Sequence, residues 1–297
     1  MRILIVSIFL LFAATLARGQ VATPSLVPGA FTGENPAVIK WGAPSRIGAS
    51  TIQGPRMQDG TPGWTYVSGA GGGFRLVGET VALGGQSVHL DTQPPALHEM
   101  SDAFNISLAF QSGTSLSLGF GYDGFAREDS VQKISGKVSS LGVSLRMGER
   151  LFFGAVSGQE SARIETLASP TTPTHTQRDV TKVAAAVRRA GTVLVHAEVF
   201  GIEMGNYYGM ITGAEKTEGG TLEFCFGPVL MAYSERTTRI GGIPNKKVST
   251  QSADIGWAPR TGLSAVLHGE ERVTSTDATP PTTGRDQLFA FALTLSW

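Results

Sequence analysis

The protein has 297 residues, with 24 basic against 24 acidic side chains, 16% charged residues and 38 glycines. This balanced, charge-poor composition has no long run of either sign and excludes a nucleic-acid surface, and a single cysteine, Cys225, excludes any disulfide within the chain. Past the N-terminus no apolar stretch nears the about 20 residues of a spanning helix, so only strands are left to cross a membrane.

Arg2 opens the chain, an apolar run follows from Ile3 to Leu16, and Ala17-Arg18-Gly19 closes it. That is the order of parts in a secretory signal peptide, so residues 1–19 are expected to be removed by cleavage near Gly19 and Gln20. Residues 20–43 come next, with too little alternation for a pair of strands, and they carry Phe31, Asn35-Pro36-Ala37 and Trp41. Read locally, Asn-Pro marks a turn leading into a strand.

From residue 44 the chain alternates. Phe104, Ile106, Leu108 and Phe110 share one strand face, and after a Ser-Gly-Thr turn Leu116, Leu118, Phe120 and Tyr122 share another. Leu141, Val143, Leu145 and Met147 repeat the pattern before a Met-Gly-Glu-Arg turn. The design recurs around Ala190-Gly191 and around Pro259-Arg260-Thr261-Gly262. Each apolar face predicts a strand of about nine or ten residues, enough to cross hydrocarbon at a tilt.

Between these hairpins the stretches near 54–63, 91–101, 124–136, 166–178, 205–218, 236–249 and 274–285 are polar and predict longer loops. Short turns alternating with long loops are the pattern of an outer-membrane barrel, and the count gives about 14 strands. The glycines of SGAGGGF (Ser68–Phe74) predict bulges or a close backbone approach rather than a clean strand.

The chain stops on LFAFALTLSW. Phe289, Phe291, Leu293, Leu295 and Trp297 occupy one face, and Ala290, Ala292, Thr294 and Ser296 the other. In lipid every unpaired backbone N–H or C=O costs several kcal/mol, so exported alternating strands must close into a barrel. The last strand is therefore expected to pair with the first, near Arg46–Ile52, with Trp297 at the membrane–water boundary. The predicted fold is all-β: a transmembrane antiparallel barrel over residues 44–297 with a short N-terminal segment, residues 20–43, in its lumen.

The same alternation puts Arg146, Lys182, Arg188, His196, Glu198, Glu223, Asp254, His268 and Glu270 on the inward face, where they read as a solvated or ion-paired lumen wall. His196 with Glu198 and His268 with Glu270 repeat a spacing that metal sites use, but nothing in the sequence brings the two pairs together. The stretch His98–Asp102 lacks the second histidine of a zinc-protease motif and reads as loop, and no G-x-S-x-G elbow is present. No catalytic residue, cofactor or metal is expected.

Asn35-Pro36-Ala37, placed after an export signal and just before the first strand, resembles the Asn-Pro-Ala motif of the FadL-type long-chain fatty-acid transporters and their hydrocarbon-transporting relatives. The hairpin VSLRMGERLFFGAV resembles theirs too, and the aromatic-terminated last strand resembles the signal that the barrel-assembly machinery reads. The chain departs from the family in having Val38 where glycine is usual, and in its shorter hatch and loops. The resemblance implies a 14-stranded barrel in a Gram-negative outer membrane, plugged by a hatch that includes Asn35, Pro36 and Ala37, with Phe31 and Trp41 as apolar hatch contacts. It implies passive uptake of a hydrophobic small molecule, fatty-acid-like or hydrocarbon. The other expected partners are outer-membrane lipid and the assembly machinery. The alternative is a structural or partner-binding barrel that transports nothing.

Overall fold

The structure is a computed structural model and describes residues 35–41, 46–76, 81–93, 99–129, 132–167, 173–204, 215–241, 245–259, 262–278 and 281–296. The expected signal peptide, Phe31 and Trp297 lie outside the described residues. Fourteen strands follow one short 3-10 helix, Pro36–Trp41. They are β1 Arg46–Gln58, β2 Thr61–Leu76, β3 Val81–Gln93, β4 Glu99–Ser112, β5 Leu116–Asp129, β6 Gln132–Met147 and β7 Leu151–Thr166. The second half comprises β8 Thr174–Arg189, β9 Val193–Met204, β10 Glu215–Phe226, β11 Val229–Ile240, β12 Lys246–Trp257, β13 Gly262–Thr276 and β14 Thr282–Ser296. Each strand pairs with its neighbours in sequence, and β14 returns to β1, so the sheet is a closed barrel.

The closing ladder runs antiparallel from Gly48 opposite Ser296 to Gln58 opposite Asp286, the pairing that the terminal alternation predicts. It keeps one register throughout but skips Gly54 and Pro55. Proline has no N–H to give to a ladder. At Gly54 the β14 backbone comes so close that a Cβ would fall on the carbonyl oxygen of Phe289. The seam therefore depends on a missing side chain.

Outward side chains divide into two zones. Toward the short turns they are apolar: Phe104, Ile106, Leu118, Phe120, Leu141 and Leu145 are all exposed. The terminal strand adds Phe289 at 60% and Phe291 at 40% exposure, so the greasy face of LFAFALTLSW does not face the lumen. Toward the other end the outward face turns polar and ion-paired, as in Lys216–Glu218 at 3.1 Å, Glu218–Arg239 at 3.1 Å and Lys133–Glu128 at 3.2 Å.

This division corrects the expected lengths. The strands contain 12 to 16 residues rather than nine or ten. At about 3.3 Å per residue and a tilt near 40°, a 16-residue strand rises about 40 Å, against an apolar band of about 25 Å. The polar stretches expected as loops are largely the outer ends of strands: β5 runs to Asp129 and β6 resumes at Gln132, and β10 starts at Glu215. Glu99–Asp102, also expected in a loop, begins β4.

The most direct correction is at 54–63. Only Asp59-Gly60 separates β1 from β2, with φ of 49° and 81°, a two-residue hairpin turn for which Asp-Gly is the preferred pair. The glycines of SGAGGGF form no bulge; β2 pairs continuously with β1 from Arg46 opposite Gly73 to Gln58 opposite Thr61. A run of glycines costs a strand entropy, but ladder bonds on both sides hold it in place.

A Gly54→Val variant is expected to weaken the β1–β14 seam. In detergent gels its unboiled, folded band should disappear at a lower temperature than that of the native barrel, and an unchanged transition would contradict the close approach.

Candidate functional site

Inside the barrel the short helix lies against one wall, formed by β3 to β6. Its sequence explains its shape. Asn35 is the N-cap: its Oδ1 accepts the Ala37 N–H at 2.9 Å. Pro36 takes the first helical position, where a fixed φ helps and no donor is missed. The Val38 N–H then donates to the Asn35 carbonyl at 3.1 Å. The pair that reads as a turn in isolation is thus the start of a one-turn helix.

The wall beneath it is built from the smallest side chains. A Cβ at Gly119 would fall on the backbone of Pro36 and Ala37, one at Gly142 on the Asn35 side chain, and one at Gly121 would crowd Pro36. Two polar contacts fix the fit: Asn35 Nδ2 donates to the Val143 carbonyl at 2.9 Å, and Ser117 Oγ donates to the Ala37 carbonyl at 2.9 Å. Asn35, Ala37 and Val38 are completely buried. Trp41 ends the helix. The cradle was not singled out in the sequence, though its signal is visible there: Ser117, Gly119 and Gly121 share a face with period two, as do Gly142 and Ser144.

Next to this cradle the inward face becomes apolar. Val156 on β7 is the register partner of Gly142, and it packs with Phe200 and Ile202 of β9 and with Ala184 of β8. Phe152 and Ala186 continue the strip toward the short turns. A second apolar cluster, Cys225, Leu230 and Val266 with Leu194, Ala258 and Ala292, lies close to the short turns on the opposite side.

The polar residues picked from the sequence lie elsewhere on the circumference, and many fall on one line. Arg188, His196, Glu223, Ala232, Asp254, His268 and Ala290 are successive cross-strand partners from β8 to β14. His196 and Glu223 are fully buried, and Glu198 is 2% exposed. His196 Nε2 stands 3.9 Å from Glu198. His268 Nδ1 meets Asp254 Oδ1 at 2.8 Å, with Glu270 3.9 Å from its Nε2. The two His–Glu pairs sit on β9 and β13, with three strands between them, and no group of three or more potential ligands is placed to hold a metal among the described residues. Arg146 lies near a short turn, with its Nε donating to the Gly148 carbonyl at 2.9 Å and its guanidinium over the Phe152 ring. Lys182 is half-buried on β8, opposite Ile202.

Farther toward the outer end is an ion belt of which the sequence reading named only Glu270, because most of its members fall in or beside presumed loops. Arg178 is bound to Glu160 at 2.7 Å and lies 3.5 Å from Glu215. Lys246 is attracted to Glu215 and repelled by the neighbouring Arg272. Arg272 bonds Glu270 at 3.1 Å, and Arg56 meets Asp286 at 2.6 Å. Arg236 stacks over Phe200 at 5.4 Å and joins the belt to the apolar strip.

The structure superposes on the Pseudomonas putida toluene transporter TodX with a TM-score of 0.56, at 7% identity over 95% of this chain and 96% of that one. The monoaromatic hydrocarbon channel CymD gives 0.56 at 10% identity, covering 89% and 91%. A Pseudomonas aeruginosa FadL homologue gives 0.55 at 8%, covering 93% and 99%. The fold is that of the FadL-type channels. At these identities the likeness is one of fold alone, and CdiB from Acinetobacter baumannii scores 0.53, with 60% of its chain covered. No family model and no curated protein sequence matches the chain.

Two outcomes follow from the cradle and the belt. Gly142→Val should drive the helix off the wall, and in planar bilayers its conductance is expected to exceed that of the native barrel; equal conductance would mean that the helix does not occlude the lumen. Arg178→Leu leaves Glu160 without its cation and should cost about 3–5 kcal/mol, read as a lower unfolding midpoint, with much of the loss recovered in the Glu160→Leu/Arg178→Leu double variant.

Proposed function

We propose that this protein is an outer-membrane channel for the passive passage of a small hydrophobic molecule, hydrocarbon or fatty-acid-like, with Asn35, Pro36 and Ala37 as the movable plug. The observation that carries the reading is the position of the apolar strip. Val156, Ala184 and Phe200 lie beside the cradle that holds the helix, so a ligand on the strip is next to the plug. An apolar site with a few polar groups at its edge is what a small hydrophobic ligand needs, and here Arg236 and Lys182 supply the edge. The FadL-type channels of the same fold support the reading, as does the Asn-Pro-Ala resemblance. The exposed apolar face of Phe289, Phe291 and Leu293 is the surface offered to outer-membrane lipid and, during insertion, to the assembly machinery. Phe31 and the rest of residues 20–34 are assigned to the plug on the same grounds.

One observation favours a second reading, a structural or partner-binding barrel. Opposite charges link β7, β8, β10 and β12 in one run, and β13, β14 and β1 in another, across the outer half of the lumen, as a wall built for rigidity would.

The experiment is extraction of the purified protein from outer membranes, with identification of bound apolar molecules by mass spectrometry. The native chain is compared with a Phe200→Asp variant and with one lacking residues 21–34. A defined ligand near one per barrel, lost in Phe200→Asp, is expected. Bulk membrane lipid alone, equal in all three, would overturn the channel reading in favour of the structural one.

A further inference from the structure

Two concavities on the outer surface of the barrel differ in charge. One, of about 680 Å³, lies over Gly220 in the apolar zone, and its polar edge is already ion-paired through Glu218 and Arg239. The other, of about 700 Å³, crosses β4 to β8 where the apolar zone gives way to the polar one. Its lower end is aromatic, with Phe104 and Tyr122 at a ring separation of 6.0 Å. Phe104 lies across Gly124, where a Cβ would meet its ring, and this leaves the wall hollow above it. Its upper end is basic: Lys137, Arg163 and His175 all line it.

The register brings these three together. Arg163 and His175 are direct cross-strand partners, and Lys137 is the partner of Ser161, one diagonal step from Arg163. Diagonal neighbours on one face are about 7–8 Å apart, a spacing that two phosphate contacts and a sugar span easily. Arg163 also pairs with Glu165 at 2.7 Å, on side chains that are half exposed, while Lys137 forms no ion pair among the described residues. Asp102 is the one acid in the lining, at the edge nearest the aromatic pair.

We propose that this groove binds a phosphorylated glycolipid of the outer leaflet, with acyl chains against Phe104 and Tyr122 and a phosphate held by Lys137, Arg163 and His175. The inference rests on the outer-membrane placement, not on transport. Short turns face the periplasm in such barrels, so the level at which the apolar zone ends here is the headgroup level of the outer leaflet. That leaflet is built from acylated, phosphorylated glucosamine lipid. Its chemistry matches the groove end for end, and charge-assisted contacts to phosphate are the strong ones.

The test is native mass spectrometry of the detergent-solubilised full chain with three probes: bis-phosphorylated lipid A, the same lipid after phosphatase treatment, and phosphatidylglycerol. The native barrel is compared with Lys137→Gln/Arg163→Gln/His175→Gln and, as a surface control, Arg239→Gln. Lipid A is expected to bind about tenfold more weakly to the triple variant and not to the control, and the dephosphorylated lipid about tenfold more weakly to the native chain. Phosphatidylglycerol binding as tightly as lipid A, or the triple variant retaining native affinity, would overturn the proposal. If the triple variant loses its heat-modifiable gel shift, Lys137→Gln alone is measured, with a smaller loss of the same sign expected.

Discussion

The pairing of β1 with β14 is the constraint on which the rest of the molecule depends. In an aqueous protein an open edge can bond to water, but in hydrocarbon it cannot, so the first and last strands have no stable alternative to each other. Closure of 14 strands fixes a circumference, and the circumference fixes an interior that must be filled or wetted. The Gly54-Pro55 step shows how tightly the seam is drawn: β14 crosses β1 where one residue has no side chain and the next has no donor.

The interior is filled unevenly, and the unevenness carries function. Over β5 and β6 the inward side chains shrink to glycine and serine, which leaves room for a helical turn to lie on the backbone itself. Over β7 to β9 they are aliphatic and aromatic. From β8 round to β1 they are charged at the middle and outer levels, mostly with an opposite charge within reach, and apolar again near the short turns at Cys225, Leu230 and Val266. Ions taken out of water are costly unless paired and hydrogen-bonded, so the pairing is a condition for having charges there at all. The lumen thus has two apolar sectors, of which only the β7–β9 strip lies beside the helix, and one paired ionic sector.

Much of this could be read from the sequence, for a physical reason. Period-two alternation is a direct consequence of strand geometry, so the outward set at Phe104–Phe110 and the inward set at His196, Glu198 and Glu223 follow from parity once a strand is assumed. The chain closure near Arg46–Ile52 follows from the lipid argument. What escaped were residues whose strands had been cut short. Glu160 was assigned a strand but not a partner, and Arg178, Glu215, Arg236 and Lys246 sat in polar stretches counted as loop, because the apolar band was taken as the whole strand. A barrel wall that stands proud of the membrane is polar on both faces there, so hydropathy is silent exactly as alternation in charge becomes informative, and the Asp-Gly turn after Gln58 was the one strong local signal of it. The cradle was hidden for a different cause: glycine at an inward position means nothing until something is known to lie on it.

The helix can be weighed against the plug role proposed for it. The hydrogen bonds joining it to the wall are neutral, the two short ones to Val143 and from Ser117 worth about 1 kcal/mol net each beside a longer one to Ala155, and burial of the Val38 side chain adds about 2 kcal/mol. A docking energy on the order of 4 kcal/mol leaves roughly one barrel in a thousand with this turn off the wall at any moment. For the channel proposed above, that population would be small enough to limit leakage and large enough for a ligand on the neighbouring strip to shift by contacts of ordinary strength. Had the helix been held by an ion pair like that of Arg178 with Glu160, opening would require an uncompensated buried charge. The chain places its ionic bonds between the strands of the wall, and neutral hydrogen bonds at the helix that the proposed function makes the plug.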